Sequence, residues 1–412
     1  MGRPVISSRY GERTVEDILV LPVIPDSQLI EMHGYRLARI RQQMRLQGVS
    51  LCVLASPVSL RYAVNFVEYQ MFQAHIPTAY LFIPLEGPVT LFGASQRHYS
   101  LVDDYCPSRF VTPFDGGVDL THNCQQLVGD IRGFMDDHRL RDGLLALERL
   151  SPLISQQLVY EGYRLADAEC LVEQARMIKH PVELTCIEQS VAVAEYGIAQ
   201  MQQALRPGIT ENQLWSVLHQ VNIAHGGDWI EGKMLASGPR TNPWLQEATN
   251  RVIQAGELVA FDTDMIGPHG YLADISRTWL CGDLPPNTEQ KDAYRHAWDE
   301  IQYNTGLIRP GVGFNELAER AFARQDKYRA RRYVCAFHGA GLSDEYPKIY
   351  YPEDSRHNTY DDVLQENMVM CVESYSGADN GREGVKLEQM VRVTKDGCEA
   401  ISRYPFEEAL FS

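Results

Sequence analysis

Between Glu257 and Trp279 the chain reads ELVAFDTDMIGPHGYLADISRTW, and this stretch constrains the fold more than any other. Leu258 to Asp264 is expected as one strand, Gly267-Pro268-His269-Gly270 as a tight turn and Tyr271 to Leu280 as the returning strand. Asp262, Asp264 and Asp274 sit in these apolar arms. Alternation places Asp262 and Asp264 on one strand face and Thr263 on the other. Three carboxylates converging in an apolar layer cannot all stay ionised without a cation between them, so a metal is the economical explanation. A solvated hairpin edge decorated with Asp is the plainer alternative. Val259, Ala260, Phe261, Met265 and Ile266 argue instead for burial.

A chain of 412 residues exceeds what one core usually fills, so two domains are expected, 1–168 and 169–412. A net charge of -16 argues against nucleic acid or an anionic membrane surface as a partner. The nine cysteines are odd in number and never form a C-x-x-C pair, which favours reduced thiols in a cytoplasm over disulfides or a thiolate zinc site. MGRPVISSRYGERTVED has no apolar core of signal-peptide length, and Ile18 to Ile24 is too short and too broken by Pro22 to span a membrane.

In chain order, residues 1 to about 30 are expected as an extended, Pro-punctuated arm, followed by a helix over His33 to Gln47 closed by Gly48. VSLCVLAS then reads as a buried strand with Pro57 to Phe66 as its connection. Strands at Ala79 to Ile83, Val89 to Phe92 and Leu144 to Glu148 make this half α/β by alternation. Tyr62, Phe66, Tyr69 and Phe72 are clustered aromatics, either core or a wall for a ligand cation. A long helical stretch runs from about Leu165 to Leu205, broken or restarted at Pro181. RPGITENQL at 206–214 recurs as RPGVGFNEL at 309–317, which suggests two similar halves around a shared sheet, although RPG before a helix is also ordinary turn chemistry.

Three further candidate ligands follow. His338 lies in Cys335-Ala336-Phe337-His338-Gly339-Ala340-Gly341, Glu373 in the apolar MVMCVES, and Glu388 in GVKLEQMVRV. Parity groups Lys386, Glu388, Met390 and Arg392 on one side of the last strand, and by itself allows that side to be wet.

The order Asp, Asp, His, Glu, Glu, with R-M-I-K-H-P-V-E-L, A-S-G-P at 236–239, D-I-S-R-T, F-H-G-A-G, V-E-S-Y-S and L-E-Q-M-V-R-V-T-K-D-G, resembles the pita-bread family of methionine aminopeptidases, prolidases, aminopeptidase P and creatinase. The resemblance covers about Arg176 to Ile401 and implies a creatinase-like N-terminal α/β domain before a pita-bread catalytic domain with pseudo-twofold halves. It implies two divalent ions, bridged by Asp274 and Glu388, with Asp264 and Asp262 on one and His338 with Glu373 on the other. Such donors suit Fe, Mn, Co or Zn.

Departures from the peptidase pattern point elsewhere. The family spaces its two aspartates eleven apart, which would fall on Thr263, whereas the spacings here are ten and twelve. Pro243-Trp244 stands where the peptidases have Pro-His, and Asp344-Glu345-Tyr346-Pro347 where they have H-E-x-P. Those histidines steady and protonate the tetrahedral intermediate of peptide hydrolysis. F-D-T-D-M-I-G-P-x-G-Y and H-G-x-G-x-x-D-E-Y-P resemble instead the non-peptidase members of the family that split dimethylsulfoniopropionate into dimethyl sulfide and acrylate. That resemblance implies Asp344 as the base and iron as the metal. It also implies a homodimer and a small zwitterionic sulfonium substrate met by aromatics, for which Trp244, Tyr69, Phe72, Tyr333 and Tyr346 are the candidates, with Tyr350 and Tyr351 expected in the same cleft. A hydrolase of the same architecture, prolidase-like or opening a cyclic amidine, is the alternative, and a catalytically silent binding module a more distant one.

Overall fold

The computed structural model describes residues 19, 21–93, 97–354 and 361–411. Most of the expected N-terminal arm, through residue 18 and at 20, therefore lies outside the described residues. Two compact units divide at Arg176/Met177: Ile24–Arg176 form one, and Met177–Ser412 together with the N-terminal segment form the other.

In the N-terminal unit a six-stranded sheet runs in the order Asp104–Cys106, Thr90–Phe92, Tyr80–Pro84, Val49–Leu54, Leu144–Leu147, Arg164–Asp167. Val49–Leu54 is central, antiparallel to Tyr80–Pro84 and parallel to Leu144–Leu147. The first helix begins at Asp26, earlier than the periodicity suggests, and closes on Gly48 at φ 69. Pro57–Val64 is a helix rather than a plain connection. Buried Glu148 helps to start it by accepting hydrogen bonds from the Ala55 and Ser56 N–H groups and the Ser59 hydroxyl, which satisfies donors that a helix start leaves unpaired.

In the catalytic unit the hairpin forms, but as two pairings with a break between them. Leu258–Asp262 pairs antiparallel with Ser276–Leu280, and Met265–Ile266 with Leu272–Ala273. The strand ends at Asp262, and Asp264 takes the left-handed conformation at φ 36, a region Asp tolerates better than most residues. Asp262 and Asp264 thus converge through a kink, not through strand parity. Thr263 closes the kink: its hydroxyl donates to the Ala273 carbonyl and accepts from the Ile275 N–H.

A five-stranded antiparallel sheet follows, ordered Asp344–Tyr350, Cys335–Ala340, Val369–Gly377, Gly384–Val393, Cys398–Ala400. Phe337, Met370, Val372, Val385, Leu387 and Val391 from one face share a core with Ala293, Tyr294, Ala297 and Ile301 of the helix Thr288–Thr305. The opposite face carries His338, Cys371, Glu373, Lys386 and Glu388. It is not wet: Glu388 and Lys386 are fully buried. The strand Ser276–Leu280 docks there through Thr278, whose hydroxyl donates to the Lys386 carbonyl and accepts from the Lys386 N–H.

The RPG repeat is structural. Gly208 N–H donates to Ile253 O at 2.9 Å and Gly311 N–H to Leu364 O at 2.8 Å; Glu211 N–H donates to Arg251 O at 3.0 Å and Phe314 N–H to Asp362 O at 2.9 Å. Isolated bridges join Thr210 to Val252 and Gly313 to Val363. Each half then delivers an acidic residue at the matched place, Asp262 nine residues after Ile253 and Glu373 nine after Leu364. The fold is thus an α/β N-terminal unit joined to a catalytic unit with pseudo-twofold halves. No helix among the described residues is long and apolar enough to cross a membrane.

Candidate metal centre

Register builds the site. Glu373 and Glu388 are direct cross-strand partners, and His338 faces Cys371 two residues upstream of Glu373. Like charges placed opposite each other in a sheet repel, so this pairing needs a cation. His338 Nδ1 lies 3.0 Å from the Gly339 carbonyl. With an ion bound, a proton on Nδ1 would leave the Nε2 lone pair for it, the arrangement that orients metal-binding histidines; without one, burial is outweighed by Cys371 and Asp344, which raise the ring's pKa well above its usual value. Around Nε2 lie Glu388 Oε1 at 3.4 Å, Glu373 Oε1 at 3.5 Å and Asp274 Oδ2 at 3.6 Å. Tetrahedral donors about 2.1 Å from one ion are themselves about 3.4 Å apart. A second group, Asp262, Asp264 and Asp274, also brings ligand atoms within 4.8 Å of one another, and Asp274 belongs to both.

Two further observations fit metal. Asp262 Oδ1, Asp274 Oδ1 and Glu388 Oε1 are buried and make no hydrogen bond, a state that costs a few kcal/mol per group unless something binds them. Burial, reinforced by neighbouring carboxylates, pushes Asp274 and Asp264 well above the usual carboxylate range. Asp262 rises to about 7 because burial and the repulsion of Glu388 and Glu373 outweigh Lys386. Glu388 goes the other way: Lys386 and His338 overcome its burial and hold it low. Without cations the cluster shares protons instead of ionising.

All six expected ligands therefore come together. Cys371 and Lys386 join them unanticipated by the sequence reading. Cys371 Sγ is 4.0 Å from Asp274 Oδ2 and belongs to the His338 group. Its signal was parity, two residues before Glu373 on one strand. Lys386 had the same signal relative to Glu388.

A cavity of about 390 Å³ opens over the cluster, lined among others by Trp244, Tyr333, Asp344, Tyr346 and Lys348. Trp244 is buried and stacks on Tyr375 with centroids 6.2 Å apart. Asp344 stands at the rim, its Oδ1 3.6 Å from His338 Nδ1 and its side chain 65% exposed. Its neighbour Glu345 anchors the segment through a buried pair with Lys179 at 2.8 Å, which gives the R-M-I-K motif a structural task. Gly339 and Gly341 admit this approach: a Cβ at Gly339 would lie 2.4 Å from the Tyr346 carbonyl oxygen, and one at Gly341 2.3 Å from the Glu345 carboxylate.

The remaining aromatic candidates are placed differently. Tyr69 and Phe72 belong to the N-terminal unit, where Tyr69 is 84% exposed and Phe72 packs edge-on against Phe114. Tyr62 and Phe66 are core. Tyr350 and Tyr351 do not line the cavity. Tyr351 is buried against Glu300, Asn304 and Arg324, because that charged network needs its hydroxyl.

Residues 185–395 match metallopeptidase family M24. The chain is 33% identical to the dimethylsulfoniopropionate lyase DddP of Roseovarius nubinhibens, over 94% of this chain and 89% of that protein. It is 31% identical to the protein of the same name from Roseobacter denitrificans, over 94% and 88%. Its backbone resembles an Xaa-Pro dipeptidase from Bacillus anthracis with a TM-score of 0.72, at 20% identity, covering 91% of this chain and 99% of that one. Family and fold agree with the carboxylate–imidazole cluster, and the chain belongs to metallopeptidase family M24, the pita-bread metalloenzymes.

Proposed function

We propose that this enzyme cleaves dimethylsulfoniopropionate to dimethyl sulfide and acrylate. The observation that carries the reading is Asp344 at the cavity rim beside His338, in a chain 33% identical to a dimethylsulfoniopropionate lyase. Asp264 with Asp262 would hold one divalent transition-metal ion and His338 with Glu373 the other, with Asp274 and Glu388 between them and iron the leading candidate. When bound, the ions supply Lewis acidity toward the substrate carboxylate.

The chain's own residues do the rest. Asp344 accepts the proton from the carbon next to that carboxylate. The electron pair of the broken C–H bond forms the double bond of acrylate, and the C–S bond breaks with its pair passing to sulfur. The faces of Trp244, Tyr333 and Tyr346 favour the sulfonium end. Substrate filling the cavity would shield Asp344 from water and strengthen it as a base. Activity as a homodimer in the cytoplasm is part of the same reading.

Headspace detection of dimethyl sulfide, beside a dipeptide panel, tests it. Sulfide release without dipeptide hydrolysis is expected, and amino acid release without sulfide would favour the hydrolase.

A further inference from the structure

The Lys386 ammonium is fully buried, and three of the site's carboxylates close around it. Its Nζ lies 2.5 Å from Glu373 Oε2, 2.9 Å from Asp262 Oδ2 and 3.2 Å from Glu388 Oε2, with the Ser276 hydroxyl at 2.7 Å. Lysine is almost never fully buried without partners. The rings of Tyr333 and Trp244 complete its surroundings, with centroids at 5.6 and 5.8 Å.

Among the described residues three groups of side chains are spaced to hold a cation, and one of them is Asp262, Glu373 and Glu388. Those are the three carboxylates that already hold the lysine. In each, the oxygen facing Lys386 is the second one. Glu373 Oε1 and Glu388 Oε1 face His338, and Asp262 Oδ1 makes no hydrogen bond. The charges agree. Five carboxylates and one buried ammonium leave four negative charges in the cluster, which two divalent ions cancel.

We propose that Lys386 is a built-in third cation of this centre. It fills one of three cation positions, limits the centre to two metal ions, and turns one oxygen of each of Asp262, Glu373 and Glu388 toward them. It is a positioning residue, and its role rests on the metal-centre reading above.

The test is Mn²⁺ stoichiometry by equilibrium dialysis and elemental analysis of the full-length chain. Wild type and Lys386→Arg are expected to bind two ions per chain, and Lys386→Ala, with the position vacated, three. A count of two for Lys386→Ala overturns the proposal. No Mn²⁺ on wild type would instead overturn the metal-centre reading, so the two failures are distinct. A second readout uses chelator-treated protein. Methylammonium should raise the melting temperature of Lys386→Ala and leave wild type unchanged, while tetramethylammonium, too large for the vacated position, should leave both unchanged. Equal effects of the two salts would overturn the proposal. If Lys386→Ala does not fold, Lys386→Gln takes its place. It keeps a donor without the charge, and its metal-free form should melt below that of Lys386→Arg; equal melting would overturn the proposal.

Discussion

The two halves of the catalytic unit start from the same RPG turn and reach the same site by different means. In the first, the hairpin breaks. Asp264 adopts a left-handed backbone, and Thr263 bonds across the gap so that three aspartates converge. In the second, the strands stay regular. Glu373 and Glu388 face each other in register, and the repulsion is offset by Lys386. The halves meet where the Thr278 hydroxyl bonds to the backbone of Lys386 across the seam. A polar cluster can therefore be gathered by bending the backbone or by inserting a counter-charge, and this chain does both.

Asp274 is the group common to both halves, and its loss should break the comparison most. Asp274→Ala is expected to empty both metal positions and lower turnover by more than about 100-fold, the upper range for partners one shell further out. Elemental analysis checks it, and one ion retained at full affinity would show that Asp274 is not shared. Asp344→Ala should cut kcat by about 10²–10⁴-fold with metal content unchanged. Parallel loss of metal would make Asp344 a ligand or a structural residue.

The kink can be isolated from its charge. Asp264→Asn and Asp264→Ala should weaken metal binding alike, but in the metal-free state Ala should cost about 1 kcal/mol more, because it tolerates the left-handed region less well. Equal denaturation midpoints would show that backbone preference does not hold the kink.

The smallest effect lies behind the second half. His296 accepts from the Gln325 N–H through Nε2 and faces the Ser376 hydroxyl through Nδ1. Burial first, then Arg324 and Lys327, lower its pKa from 6.5 to about 4. The unfolded chain binds this proton more readily, so the contribution is full above pH 6.5 and declines as pH falls toward 4. Denaturation between those limits should show a decline that His296→Gln flattens; an unchanged slope would assign it to other groups.

Much of the candidate site was legible because residues able to bind metal are chemically conspicuous in apolar strands. Asp, His and Glu in apolar strands stand out where burial would otherwise be costly. Strand parity told less. It placed Glu388 and Lys386 on one face but left that face open to water, since parity orders residues along one strand and does not show what packs against them. The aromatics were harder still: Tyr351 reads like Tyr346 in sequence, yet only Tyr346 lines the cavity, while Tyr351 serves Glu300 and Arg324.

The sequence by itself determined the identity and order of the candidate ligands, the two RPG-led halves and the replacement of the peptidase-type histidines. Those features are written in residue types and local spacing. The tertiary structure alone decided that Asp264 turns left-handed, that Asp344 stands exposed at the rim and that a lysine sits among three carboxylates. Each of these depends on which strands meet across the seam, because the charge on a buried group is set by neighbours distant in the chain.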